Sequence, residues 1–329
     1  MSLTFNHQTN DISNATGTVT FNGTAVGGDN TPAVWYGSRG VFFGGTTDGN
    51  GRSNVIDYIT IATTGNATDF GDLIAAAKLI GDAGTSNGSR GVTAGGDVAS
   101  SSGGINVIQY ITIATTGNAT DFGDLTVAAH SLTGSGDGTR GLFAGGGRTG
   151  GVIDYITIAT TGNATDFGDL STQLKYQAGV NDTTRAVFAG GANASSTPVN
   201  TIEYVTVQTT GNATDFGDLS AARTNSGGTG DTTRGLFAGG WDAAFSNPIN
   251  NIDYITIQTT GNSTDFGDLT AATAGPAGAS NATRAVFAGG YVSGRVNVIT
   301  HVTIATTGNS TDFGDLTASR NDPAGCAGT

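Results

Sequence analysis

The stretch Thr183–Leu219, TTRAVFAGGANASSTPVNTIEYVTVQTTGNATDFGDL, decides the fold. It opens on Thr-Arg and a short apolar run ending in Gly-Gly. An alternating segment centred on an aromatic follows, and Gly-Asn-Ala-Thr-Asp-Phe-Gly-Asp-Leu closes it. The opening arginine recurs at Arg39, Arg90, Arg140, Arg185, Arg234 and Arg284, with spacings of 51, 50, 45, 49 and 50 residues. Six copies at such a period signal a solenoid, a propeller or an array.

Composition narrows the choice. Hydrophobic residues make up 36% and charged residues 12% of 329 positions, and 55 are glycine. Low charge and regularly placed Val, Ile, Tyr and Phe argue against a solvated disordered chain. The excess of Gly, Thr, Asn and Asp suits many short strands joined by tight turns. A net charge of −13, with 6 of the 13 basic residues taken by the repeat arginine, argues against nucleic-acid binding, which needs clustered Lys and Arg. The single cysteine, Cys326, excludes a disulfide framework. The start, Met-Ser-Leu-Thr-Phe-Asn-His, lacks the basic and apolar regions of a signal peptide, and no run reaches transmembrane length. Synthesis in a cytosol as a soluble chain without membrane insertion is expected. The sequons at Asn66, Asn118, Asn163, Asn212, Asn262 and Asn309 read as turn chemistry.

Two regions follow: residues 1–35, outside the repeat, and residues 36–329, the repeats. In the first, Ser2–Asn6 and Thr18–Val26 alternate, with Asn22-Gly23 as a turn signal, and predict two or three short strands for docking or assembly. Each repeat divides into four. Examples of the successive strands are Gln177–Asn181, Arg140–Gly146, Val152–Ala159 and Thr165–Leu170. The third carries Tyr58, Tyr110, Tyr155, Tyr204 and Tyr254, with His301 in the last copy. Four short antiparallel strands per unit of about 50 residues is the blade of a β-propeller.

The Gly-Gly, the third-strand aromatic, the fourth-strand aromatic and an Arg just beyond resemble the kelch repeat. Phe70, Phe122, Phe167, Phe216, Phe266 and Phe313 stand where kelch blades commonly carry Trp. Arg223 and Arg320 match the downstream Arg, which the other four copies lack. The expected fold is all-β: a kelch-like propeller of six blades plus a short N-terminal β segment. The C-terminal Pro323–Thr329 parallels Pro276–Thr283, while the first copy starts at Ser38-Arg39 without a first strand. The chain's end therefore supplies that strand, and closure removes exposed sheet edges.

Alternating strand direction sorts the loops. The turn between strands three and four is nearly the same in every copy. The loops joining strands two and three, and those joining one blade to the next, share the other face and vary. The varied face carries Trp241, Phe245, Tyr291, Arg52, Arg148, Arg295, Lys175 and Tyr176, types that suit sugar or protein recognition.

Other chemistry is thin. Asp-Phe-Gly-Asp recurs six times, giving Asp69 and Asp72, Asp121 and Asp124, Asp166 and Asp169, Asp215 and Asp218, Asp265 and Asp268, Asp312 and Asp315. Turn capping or pairing with the repeat arginine is one reading. Calcium ligation, with Asp69, Asp72, Asp166, Asp169, Asp215 and Asp218 as candidates, is the other, although no EF-hand-type loop accompanies the motif. The six arginines read as a structural ring of ion pairs or carbonyl contacts. His7, His130 and His301 share no context, Cys326 reads as a small buried residue, and no catalytic constellation emerges. No cofactor is expected and no enzyme is read. An active site would need a polar cluster at the channel mouth, hard to build from near-identical blades.

The near-identical Tyr-Ile-Thr-Ile-Ala-Thr-Thr-Gly-Asn-Ala-Thr-Asp-Phe-Gly-Asp-Leu copies resemble repeats in structural proteins of marine bacteriophages. The start, Ser-Leu-Thr-Phe-Asn-His-Gln-Thr-Asn-Asp-Ile-Ser, also resembles that of virion appendage proteins. The resemblance implies a virion protein (a capsid decoration, fibre or tail component) made in the host cytoplasm. It would be mounted on other virion proteins, or on copies of itself, through residues 1–35, with its varied face toward a host glycan or protein. The alternative is a free kelch-like protein- or carbohydrate-binding module.

Overall fold

The structure, a computed structural model, describes residues 37–99 and 103–329, together with four short strands among the first 36 residues. The chain divides into two compact units, Met1–Val34 and Trp35–Thr329. The first contains two antiparallel hairpins: Thr4–Asn6 pairs with Asp11–Ser13, and Val19–Phe21 with Thr24–Val26. The alternation at Ser2–Asn6 and Thr18–Val26 accounts for three of these strands; Asp11–Ser13 is the additional one.

The second unit is a six-bladed β-propeller whose blades are four-stranded antiparallel sheets. Blade three shows the pattern, with Thr133–Gly136 innermost, then Arg140–Ala144, Val152–Thr157 and Thr165–Asp169. The second strand is an unbroken run of small and apolar residues because a neighbouring blade covers each of its faces; only its arginine is partly exposed. The third strand alternates until a bulge between Ile153 and Asp154, where its register against the fourth strand shifts. The same irregularity recurs in every blade. Beyond it the aromatic meets the fourth-strand phenylalanine edge to face, as Tyr155 does Phe167 with centroids 6.0 Å apart.

The core lies in the seams rather than at one centre. Leu142, Phe167 and Leu170 of blade three pack with Phe188, Val205 and Val207 around blade four. Ala324–Gly328 forms the inner strand of blade one, antiparallel to Arg39–Phe43, so the chain's end closes the ring.

Two contacts join every blade to the next. Near the axis, the inner strands meet through Gly84, Gly134, Gly179, Gly228, Gly278 and Gly325. A Cβ on Gly84 would lie 1.9 Å from the Gly325 carbonyl oxygen, and one on Gly325 2.1 Å from that of Gly278. Only glycine allows backbones this close. At the outside, the turn of one blade clips the fourth strand of the blade before it. The Gly117 amide donates to the Phe70 carbonyl at 2.8 Å, and the Asp72 amide to Asn118 Oδ1 at 3.0 Å. The Ala119 amide then donates to the Asp72 carbonyl at 2.8 Å. The clip repeats around the ring, ending with Asn66 on Asp315. The sequon asparagines therefore form joints between blades as well as turns.

The glycine ring yields a direct test. Gly84→Ala should lower the unfolding free energy by about 3 kcal/mol or more in a denaturant melt, because the added methyl meets backbone that cannot yield. Gly117→Ala, whose added methyl would have nothing within 4 Å, should stay within about 0.5 kcal/mol of the parent.

Candidate functional site

The loops of the varied face begin from a ring of residues around the axis. Leu79, Ser131, Tyr176, Asn225, Gly275 and Asp322 all have positive φ, between 53° and 75° with the neighbouring Gly81 included. From Ser131 onward each donates its amide to the carbonyl of the one before. Ser131 bonds Leu79 at 2.6 Å, Tyr176 bonds Ser131 at 3.1 Å and Asn225 bonds Tyr176 at 3.0 Å. Gly275 bonds Asn225 at 2.7 Å and Asp322 bonds Gly275 at 2.9 Å. The left-handed backbone turns each amide toward the previous blade, and those bonds hold five non-glycine residues in a conformation that costs them energy.

One blade breaks the pattern. Between Ile80 and Ala83 the chain inserts Gly81-Asp82, where the next repeat runs directly from Leu132 to Thr133. The insertion carries Asp82 across to the far blades: its Oδ2 accepts from the Gly179 amide at 3.1 Å and the Gly228 amide at 3.0 Å. Asp322 stands at the same mouth, accepting from Asn225 Nδ2 at 2.9 Å and Asn321 Nδ2 at 2.8 Å. Asp82, Tyr176, Asn225, Ser226 and Asp322 line a small cavity there. Burial pushes both carboxyls up. Asp82 is raised well above the usual range despite its two amide donors. Asp322 is raised to about 6, with the Asn225 bond and Arg295 pulling the other way. A polar cluster at the channel mouth is thus built by an insertion outside the repeat, the feature that blade-to-blade identity had concealed.

The second feature is aromatic. Trp241 and Phe245 come from a blade-five loop and Tyr291 from the matching loop of blade six. Trp241 meets Phe245 edge to face at 5.8 Å and lies tilted against Tyr291 at 5.4 Å. Phe245 is 46% exposed and sits at φ 54°. Asp242 braces this loop: its carbonyl accepts from the Phe245 amide at 2.8 Å, and its Oδ1 from the Ser246 amide at 2.8 Å. The Ser246 amide, ahead of its other contacts, draws the Asp242 carboxyl below its ordinary pKa. The face thus holds an apolar ring outward in a prearranged loop.

The other expected face residues divide. Arg52 spans two blades, 2.6 Å from Asp97, and Arg295 bonds Asn321 Oδ1 at 2.8 Å. Lys175 lies 5.8 Å over the Tyr176 ring. Arg148 corrects the expectation. It is 4% exposed, and its Nη1 lies 2.6 Å from Asp154 Oδ2 inside a seam. Its position in a loop suggested the surface, but the buried carboxylate preceding the third-strand tyrosine draws it inward.

The repeat arginines make carbonyl contacts. Arg39 Nη1 donates to Ile113 and Ala114 of the next blade at 2.9 and 3.0 Å, and Arg284 Nη1 to Ile61 at 2.9 Å. Arg39, Arg90, Arg140, Arg185 and Arg234 also lie over the tyrosine of their own blade, at 4.4 to 5.0 Å. Where His301 replaces that tyrosine, Arg284 lies over Phe313 at 5.8 Å. No described ion pair joins these arginines to the Asp-Phe-Gly-Asp carboxylates. Within that motif it is the next blade's asparagine that caps a backbone amide. Asp69, Asp166 and Asp215 are exposed, as is Asp169, while Asp72 and Asp218 are half-buried. Among the described residues no group of three or more His, Cys, Asp or Glu is placed to hold a metal. His130 and His301 lie apart, each with its pKa lowered first by burial, and His7 falls outside the described residues. Burial pushes the Cys326 thiol up to about 12.

Against known proteins, the chain matches no family model and no curated protein sequence.

The axial carboxyl predicts a pH dependence. Because the folded pKa of Asp322 lies above its ordinary value of 3.8, its contribution to stability is complete below pH 3.8. That contribution is lost as pH rises through about 6. Asp322→Asn should remove that part of the slope between about pH 4 and 6, leaving the part due to Asp82. Chemical denaturation across that range measures it.

Proposed function

We propose that this chain is a non-catalytic recognition propeller of a phage virion, a decoration, fibre or tail component. It presents its varied face to a surface glycan, and residues 1–35 dock it on the particle. The observation that carries recognition is the Trp241–Phe245–Tyr291 patch. A half-exposed phenylalanine in a left-handed conformation costs energy and gives up apolar burial, which a binding role explains and packing does not. Flat aromatic surface next to Asp242, Asn247 and Arg295 suits a sugar, whose ring stacks while its hydroxyls find polar partners.

The axial cluster does not favour catalysis over this reading. Asp82 accepts two backbone amides on Oδ2 and Asp322 accepts a side-chain amide on each oxygen, bonds that brace the ring of loops and account for both carboxyls structurally. The virion setting is supported by the sequence resemblance, and the contrasting setting is a free kelch-like binding module.

Glycan-array binding of the full chain, followed by titration of a positive glycan, tests recognition. Trp241→Ala should weaken binding by about tenfold or more while leaving the melting temperature close to the parent. Unchanged affinity, or no bound glycan at all, would remove the patch from consideration. Light scattering tests the docking role. The full chain should assemble, through itself or with added virion proteins, and residues 36–329 should not. If both stay monomeric in each mixture, the free module becomes the better account.

A further inference from the structure

The six seams share one buried position and fill it differently. Between blades two and three, four and five, and six and one, a guanidinium occupies it. Arg148 pairs with Asp154, Arg223 with Asp253 and Arg320 with Asp57, at 2.6, 2.5 and 2.9 Å. Backbone carbonyls complete the cradle around Arg148 and reach Arg223. Arg148 Nε donates to Gly145 at 2.8 Å, and its Nη2 to Phe143 and Val152 at 3.0 and 2.9 Å. Arg223 Nη1 donates to Asn251 at 3.1 Å.

In the seam between blades five and six both charges are gone. Thr273 stands where the preceding repeat has Arg223, and Thr300 where the preceding repeat has Asp253. The space remains as a pocket of about 440 Å³, counting its open mouth. Leu269, Phe287 and Thr300 form a buried floor, while Thr270, Ala271 and Val298 are exposed at the rim. Phe287, Gly289 and Val298, which line it, are the repeat equivalents of Phe143, Gly145 and Val152, whose carbonyls hold Arg148. No described backbone or side-chain donor outside the strand ladders reaches the Gly289 carbonyl. The pocket opens on the varied face beside the aromatic patch: Val292 lines it directly after Tyr291, whose amide donates to the Ala274 carbonyl at 2.7 Å.

We propose that this vacated arginine site takes the acetamido group of an N-acetylated amino sugar, a reading that rests on the patch binding carbohydrate. The lost carboxylate decides against a guanidinium or ammonium, which would enter as an uncompensated charge. The walls suit a small neutral group with one apolar end. Its methyl meets Leu269, Phe287 and Val296, its N–H faces the retained carbonyls, and its carbonyl faces the Thr300 hydroxyl, since the Thr273 hydroxyl donates to the Ala271 carbonyl at 2.9 Å. A site built to pair a donor discriminates against the analogue lacking it.

Titrations of the full chain with N-acetylglucosamine, N-acetylgalactosamine, glucose, galactose and arginine test the proposal, read by NMR shifts and calorimetry. The acetamido sugars should bind about tenfold tighter than their parent hexoses. The variant Thr273→Arg/Thr300→Asp rebuilds the neighbouring ion pair; it should abolish that preference and leave hexose binding unchanged. If it fails to fold, Val298→Trp at the exposed rim serves the same purpose. Equal binding of acetamido and parent sugars, a preference that survives pocket filling, or arginine binding above the sugars overturns the proposal. N-methylacetamide separates the two levels. Shifts at the Thr273, Thr300 and Val296 methyls without any sugar binding keep the pocket and remove the carbohydrate reading. Sugar binding without those shifts keeps the patch and removes the pocket.

Discussion

Everything in the propeller depends on covering the outer edge of each blade. A four-stranded sheet ends in a strand whose amides and carbonyls face outward, a costly surface in water and an invitation to aggregate. Here the turn of the following blade supplies two amide donors to that edge, and its asparagine side chain supplies the acceptor. The second glycine-dependent approach follows from it. Gly71 must lack a side chain because the Gly117 carbonyl oxygen sits 2.5 Å from where its Cβ would be. The near-identity of Thr-Gly-Asn-Ala-Thr-Asp-Phe-Gly-Asp among the copies is then a geometric requirement of one joint made six times. Loops that make no joint are free to differ, and they carry the features that distinguish one blade from another.

This division explains what was legible in the sequence. Blade number, strand order and ring closure follow from repetition, because each joint demands the same residues at the same spacing. The aromatic members of the candidate face were legible for the same reason in reverse. Trp241 and Tyr291 stand out as bulky residues where the repeat needs none. Arg148 misled because loop position says nothing about the buried carboxylate six residues on, which reaches it only through the folded seam. Asp82 was passed over because an insertion between repeats looks like loop variation. Only the ring brings it opposite Gly179 and Gly228, far away in sequence.

The seams show how a repeat protein varies its interior without losing its shape. The acceptor ahead of the third-strand aromatic is Asp57, Gln109, Asp154, Glu203 or Asp253, and in the last blade Thr300. Gln109 and Glu203 accept amides of the preceding blade, from Ile74 at 2.9 Å and Ser171 at 3.0 Å. The carboxylates of Asp57, Asp154 and Asp253 carry an arginine as well. Where the acid is replaced, at Gln109 and Thr300, the buried ion pair is gone as well, which avoids an uncompensated guanidinium; Glu203 keeps its acid without an arginine and accepts the Ser171 amide alone.

The closing strand has a further consequence for assembly. Ala324–Gly328 pairs with Arg39–Phe43 through main-chain bonds and a small-residue surface closely similar to the inner strands of the other blades. Little in its chemistry distinguishes the first blade of its own chain from the first blade of another. What selects the intramolecular partner is tethering: the rest of the ring holds the strand near its slot at an effective concentration of the order of millimolar. Dilute refolding therefore favours closed rings. At concentrations approaching that value the same strand would link chains head to tail, turning a closed ring into an open polymer with every blade still native.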